Sequence, residues 1–187
     1  MNTYDFDETI FNPDSSYAFI MYCWKKIPSK MIGTLPALVP AAIAYASDKT
    51  KAKELKEKLF AFLPKVKDVD ALVNEFWACH QHGIGQWYLK QKRDDDIIIS
   101  ASPEFLLKPI ADQLGVRLIA TPMDKYSGKI NGKNCHDHEK VRRFYEEYPE
   151  AHTEEFYSDS LSDTPMAMIA DRAFIVNKGQ LSPWSNK

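Results

Sequence analysis

From residue 96 to residue 177 the sequence alternates short apolar runs with helix-length segments, and this alternation limits the fold more than any other feature. "DIIISAS" (96–102) predicts a buried strand, "PEFLLKPIADQLG" a helix closed by Gly115, and "VRLIAT" (116–121) a second strand. "DHEKVRRFYEEY" predicts a helix, "EEFYSD" a strand, "TPMAMIAD" a short helix and "RAFIVN" a last strand. Between them "YSGKINGKN" has the glycine and asparagine punctuation of a hairpin. Successive parallel strands need crossover connections, usually helices, so the pattern predicts a Rossmann-like α/β core around a parallel sheet.

The chain before residue 91 follows another rule. Thr3 to Asp7, in "TYDFDETI", reads as a short strand, and "FNPDSS" as a turn with Asp14 or Ser15 capping a helix over "YAFIMYCWKKI". Residues 48–62 predict an amphipathic helix with Leu55, Leu59 and Phe62 on one face. Residues 68–89 predict another long one, with Val69, Leu72, Val73, Phe76 and Trp77 at helical spacing. The expected organisation is an α/β core of residues 1–13 and 91–187, split after its first strand by a helical cap of residues 14–90.

Bulk properties set the classes of partner. The 187 residues suffice for one ordinary domain carrying an insert, and a net charge of −2 predicts no general attraction to nucleic acid. That average conceals ten lysines against Asp48, Glu54 and Glu57 between residues 25 and 67, a basic stretch in an acidic body. Cys23, Cys79 and Cys135 are odd in number and far apart, and no secretory signal peptide is read, so a reducing cytoplasm is expected. The longest apolar run, "MIGTLPALVPAAIAYA" (31–46), falls short of the roughly 20 residues that span a bilayer. It fits a core, a cleft wall or a membrane surface.

In parallel α/β sheets ligands bind at the carboxyl ends of the strands. The first strand ends in Asp5 and Asp7, "DIIIS" in Ser100, and "EEFYSD" in Asp159, with Asp163 four residues on and Lys140 in the preceding helix. Carboxylates suit Mg²⁺, one carboxylate can attack phosphorus, and a second can move the proton. A hydroxyl and an ammonium stabilise the charge on the transferred phosphoryl oxygens. Asp5 and Asp7, at i and i+2 of a strand, share a face.

"DFDET" resembles the D-x-D-x-T signature of the haloacid dehalogenase superfamily of phosphohydrolases. "IIIS", the lysine of "HEKVRR" and "SDSLSD" resemble its three later motifs, in order. "ISASPEFLLKPIA", "GKNCHDHEKV" and "YSDSLSDTPMAMIADRAFIVN" are similar to the phosphoserine phosphatase-like subfamily IB, including the phosphatidylglycerophosphatase C type. The resemblance implies a C1-type cap, a nucleophilic Asp5, an acid/base at Asp7, and a phosphoryl group held by Ser100 and Lys140. It also implies Mg²⁺ held by Asp5, the backbone carbonyl of Asp7 and Asp159, with Asp163 in support. Glu8 departs from it, standing where the family commonly has glycine.

Each residue also has a plainer reading. Asp5 and Asp7 alone would be turn carboxylates, Ser100 a strand-end hydroxyl, and Asp163 the N-cap of the helix opened by Thr164 and Pro165. Lys129 and Lys133 compete with Lys140. "CHQH" (79–82) and "CHDH" (135–138) invite zinc but lack C-x-x-C spacing. Cys79 is therefore read as a core residue, and His136 and His138 as rim residues. Thr9 is expected to brace the turn into the cap.

The resulting expectation is a phosphatase acting on a small organic phosphate or a lipid phosphate. The basic, apolar cap adds peripheral membrane contact as an expected partner surface. The alternative is a non-enzymatic phosphoacceptor domain of the receiver kind.

Overall fold

The computed structural model describes residues 1–185. Six strands form one sheet in the order β3-β2-β1-β4-β5-β6. They are β1 (Thr3–Tyr4), β2 (Ile97–Pro103), β3 (Arg117–Thr121), β4 (Glu155–Ser158), β5 (Arg172–Asn177) and β6 (Gln180–Pro183). Neighbours among β1 to β5 pair in parallel, as the alternation predicts. β6 folds back on β5 antiparallel, Asn177 opposite Gln180, and was not expected. Only two residues long, β1 is nevertheless central, with Thr3 opposite Ile97 on one side and Phe156 on the other.

Strand alternation sorts the apolar side chains onto two faces. Ile97, Ile99 and Phe156 join Phe144, Met166, Ala167 and Trp184 in one cluster. This face is covered by α8 (His138–Glu147) and α9 (Thr164–Ile169). Tyr4, Phe6, Ile98 and Tyr157 point the other way, into a larger cluster. It takes in α1 (Ser15–Lys26), α5 (Val69–His80) and α7 (Glu104–Leu114). Phe19, Phe60 and Phe76 of the helical block belong to it, and the indole of Trp77 donates to the carbonyl of Leu106 at 2.7 Å. The helical block thus shares its apolar interior with one face of the sheet.

Between β1 and β2 the block also contains α2 (Pro28–Met31), α3 (Leu35–Ser47), α4 (Ala52–Leu59) and α6 (Gln86–Gln91). Two expected helices are shorter than their periodicity suggests. Residues 48–62 give a 3₁₀ turn at Lys49–Lys51 and then α4. Residues 68–89 divide into α5, a 3₁₀ turn and α6, because Gly83 and Gly85 approach the β1–α1 turn. The Gly85 amide donates to Ile10 O at 2.7 Å, and a Cβ at Gly83 would lie 2.6 Å from the Phe11 ring. Cys79 is exposed, not a core residue: it lies near the C-terminal end of α5, past the buried row of Leu72, Val73, Phe76 and Trp77.

Candidate active site

The carboxyl edge of the sheet is built around one buried ammonium. Lys140 lies in the first turn of α8, whose Phe144, one turn on, anchors the helix in the core. The lysine is only 2% exposed, and its Nζ donates at 2.7 Å to both Asp5 Oδ1 and Asp163 Oδ2. Burial alone would lower the ammonium's pKa, but the two carboxylates outweigh it and hold it above the usual range. Lys129 instead pairs with Glu57, and Lys133 is exposed. Asp163 does occupy the N-cap position of α9, but its side chain accepts from Lys140 and from Ser158 Oγ at 2.8 Å, not from the helix.

Asp5 and Asp7 are held in different ways. The Asp5 amide donates to Tyr157 O at 2.8 Å, extending the β1–β4 ladder to the sheet edge. Its carboxyl pKa is pushed up first by burial, then by Asp163 and Asp7, against the pull of Lys140. Asp7 Oδ1 accepts from the Ser15 amide at 2.7 Å, at the N-terminus of α1 where the helix favours negative charge. Asp7 Oδ2 accepts from Ser102 Oγ at 2.5 Å. Burial, with Asp14 adding repulsion, pushes Asp7 up to about 6 despite these bonds.

The turn that separates the two acids is fixed from both sides. The Phe6 carbonyl accepts from the amides of Ile10 and Phe11, each at 2.9 Å. Glu8 has φ +56°, a left-handed conformation that glycine adopts without a Cβ penalty. Thr9 Oγ1 accepts from the Asp159 amide at 2.8 Å and donates to Asp159 Oδ1 at 3.3 Å. It therefore ties the first carboxylate segment to the last, beyond bracing the turn. Burial raises the pKa of Asp159.

Asp5, Asp7, Lys140, Asp159 and Asp163 all line one cleft of about 170 Å³, together with Glu8, Asp14 and His136. Ser100 does not line it. Its fully buried hydroxyl accepts from the Ser102 amide at 3.0 Å, and Ala101 forms the wall there. His136 reaches the rim as expected, whereas His138 projects into solvent. Sequence reasoning overlooked Ser102 and Lys56. The "SAS" spacing carries a signal for the first, because i and i+2 of a strand point the same way. Lys56 reaches from α4 to Ala101 O at 2.6 Å and Asn134 Oδ1 at 2.9 Å. Nothing local in the sequence separates it from its exposed neighbours.

Six carboxylates and one lysine line the site, which leaves it with an excess of acidic groups, Asp5 and Asp163 among them buried. Asp163 Oδ1 is buried with no hydrogen-bond partner, an orphaned acceptor facing that excess. Among the described residues no three Asp, Glu, His or Cys side chains stand in an arrangement that would by itself hold a metal ion. An open set of carboxylate oxygens with an unpaired acceptor fits a hard divalent cation that keeps several of its waters. Beside the cleft, and sharing Ala101 and His136 with it, lies a cavity of about 420 Å³. Tyr45, Lys49, Leu55, Lys56 and Leu59 of the helical block form its other walls.

Fold and site together define an α/β enzyme with a carboxylate centre at the carboxyl edge of a parallel sheet. The sequence model of the haloacid dehalogenase-like hydrolases matches residues 3–168, and the chain belongs to that family. It is 30% identical over 185 residues to Protein CicA of Caulobacter vibrioides strain NA1000 / CB15N, covering 90% of this chain and 82% of that protein. A protein of unknown function from Bordetella pertussis Tohama I has the same fold. Its TM-score is 0.78 at 21% identity, over 94% of this chain and 89% of that one. A phosphoserine phosphohydrolase-like protein from Francisella tularensis subsp. tularensis SCHU S4 aligns with TM-score 0.61 at 14% identity, over 96% and 88% of the two chains. Cytosolic 5'-nucleotidase IIIB bound to cytidine aligns with TM-score 0.64 at 14% identity, over 95% and 71%. Membership in a hydrolase family sets aside the non-enzymatic receiver reading.

Proposed function

We propose that the chain is a Mg²⁺-dependent phosphomonoesterase working through a phospho-Asp5 intermediate, with residues 14–90 as its cap. The observation that carries this reading is the division between two acids two residues apart. Asp5 is paired with the buried Lys140, and Asp7 is held by the α1 N-terminus and Ser102.

In the first half-reaction an Asp5 oxygen bonds to phosphorus as the ester oxygen leaves. The departing oxygen takes the proton of the Asp7 carboxylic acid. In the second, water attacks the phosphorus of the acyl phosphate, Asp7 takes its proton, and Asp5 and inorganic phosphate are released. Lys140 holds a phosphoryl oxygen and offsets its charge. Ser100 lies in the middle of β2 and outside the cleft lining, with a buried hydroxyl that accepts one bond and keeps a proton to donate. Ser102 positions Asp7. Asp5, Asp159, Asp163 and the Asp7 carbonyl would hold Mg²⁺, which supplies Lewis-acid neutralisation of the phosphoryl charge when bound.

The substrate class is a small organic phosphate or a lipid phosphate, of the phosphoserine or phosphatidylglycerophosphate type. The named phosphoserine phosphohydrolase-like and nucleotidase neighbours support phosphomonoesters in general. The mixed apolar and lysine walls of the 420 Å³ cavity suit a leaving group that is both apolar and anionic. No arginine precedes Arg93, so the bidentate reader that a carboxylate-bearing substrate favours is missing from the helical block.

The test is hydrolysis of p-nitrophenyl phosphate with Mg²⁺ and with EDTA. Turnover should require the metal, Asp5→Asn should fall to background, and a hydroxylamine-labile phosphoryl label should be absent from that variant. Asp7→Asn should lose about 10²–10⁴-fold, the usual worth of a positioned acid/base. Undiminished turnover by Asp5→Asn overturns the proposal.

A further inference from the structure

Helix α3 has its polarity reversed relative to the rest of the molecule. No charged residue occurs from Met31 to Ser47, a composition that ordinarily marks a core segment. Yet Ala41 is the only buried residue of α3, while Ile32, Leu35, Val39 and Ile43 are 59%, 42%, 59% and 66% exposed. Their spacing of three and four residues places them along one face, and exposed Pro36, Pro40 and Ala46 extend the strip. Aligned exposed apolar residues of this kind mark an interaction surface, unlike scattered ones.

Charge indicates what covers it. Lys25, Lys26 and Lys30 precede the strip, and Lys49, Lys51 and Lys53 follow it, in a stretch where ten lysines face three acids. A second copy of this surface would bring two lysine-rich rims together, whereas an anionic bilayer complements both the strip and its rims. The 13 residues of α3 span only about 20 Å at 1.5 Å per residue, short of the about 30 Å hydrocarbon core. No single described helix is long and apolar enough to cross a membrane, and Ser15–Lys26 and Pro28–Ser47 are bent by 115°.

We propose that α3 docks the protein on an anionic lipid surface. The helix lies in the plane of the interface, with Ile32, Leu35, Val39 and Ile43 among the acyl chains and the flanking lysines against the headgroups. Tyr45 and Lys49, at the end of α3, also line the cavity that adjoins the catalytic cleft. Docking would therefore bring the mouth of that cavity to the bilayer. The inference does not depend on the reaction proposed above.

Flotation of the purified full chain with vesicles of phosphatidylcholine, with and without phosphatidylserine, tests it. The protein should float with the anionic vesicles and be released by salt. Val39→Glu/Ile43→Glu should lower partitioning at least about tenfold, because it puts charge into the buried face. Lys25→Glu/Lys51→Glu, at exposed rim positions that line neither the cleft nor the cavity, should lower it by about fivefold or more per lysine. Hydrolysis of soluble p-nitrophenyl phosphate should be the same in all variants, showing that they remain folded. No binding to anionic vesicles, or equal binding by Val39→Glu/Ile43→Glu, overturns the proposal. So does a dimer in sedimentation that dissociates in Val39→Glu/Ile43→Glu without any vesicle binding. Flotation as expected from a chain inert towards phosphate esters would overturn the phosphatase reading and leave this one standing.

Discussion

The sheet edge and helix α3 break the same rule in opposite directions. At the edge an ammonium and two carboxylates are packed away from water, and on α3 and the 3₁₀ turn Ile32–Thr34 before it four large apolar side chains are left in it. Both departures go against the direction in which folding alone drives a sequence. Neither is scattered: Lys140, Asp5 and Asp163 close a single network, and Ile32, Leu35, Val39 and Ile43 a single face. Departures this concentrated belong to chemistry in one case and to a surface partner in the other.

The contrast yields a ranked set of expectations. Removing the buried charge should cost most. Lys140→Ala leaves Asp5 and Asp163 buried and unpaired, and should lose about 3–5 kcal/mol in urea denaturation with EDTA present, along with all turnover. A loss below about 1 kcal/mol would mean that water enters the network freely. Phe60→Ala, in the cluster shared by helical block and sheet, should also cost about 3–5 kcal/mol. Its unfolding should remain one transition; two transitions would give the helical block a core of its own.

Smaller effects sharpen the edge of the comparison. Glu8→Gly should stabilise by about 1 kcal/mol, because φ +56° penalises any side chain there. Calorimetry at matched pH would detect it, and a loss of activity with the gain would assign Glu8 a role in the cleft it lines. Ile43→Ser should change the stability of the free protein by no more than about 0.5 kcal/mol, although Ile is strongly apolar. A larger loss would show that α3 is packed in solution.

Much of this was legible in the sequence, for a reason that also explains what was not. The parallel strands are coded locally by runs such as "DIIIS", so the acids and Lys140 could be assigned to one edge by counting strand ends. The β5–β6 hairpin was missed because "KGQLSP" follows the last strong apolar run and carries little of its own. The break in residues 68–89 is imposed from far along the chain, by a turn at Ile10 and Phe11 that needs Gly83 and Gly85 small. Ser102 and Lys56 gain their roles from tertiary contacts, to Asp7 and to the β2 backbone. The 31–46 run was read as core, cleft or membrane surface, and composition alone could not choose. The exposure of one whole face of α3 removes the core.

The shortness and centrality of β1 set an order of events in folding. Its two residues pair with partners about 94 positions along the chain on one side and 153 on the other, separations seen in the contacts of Asn2 with Asp96 and Glu155. Contacts of such range are slow to form, because loop-closure entropy is spent before they return anything. A chain leaving the ribosome can therefore complete the two-sided pairing of β1 only after β4 has emerged. Asp5 is thus synthesised well before the strands that hold it, and a chain stalled ahead of β4 carries Asp5 without its partner Tyr157.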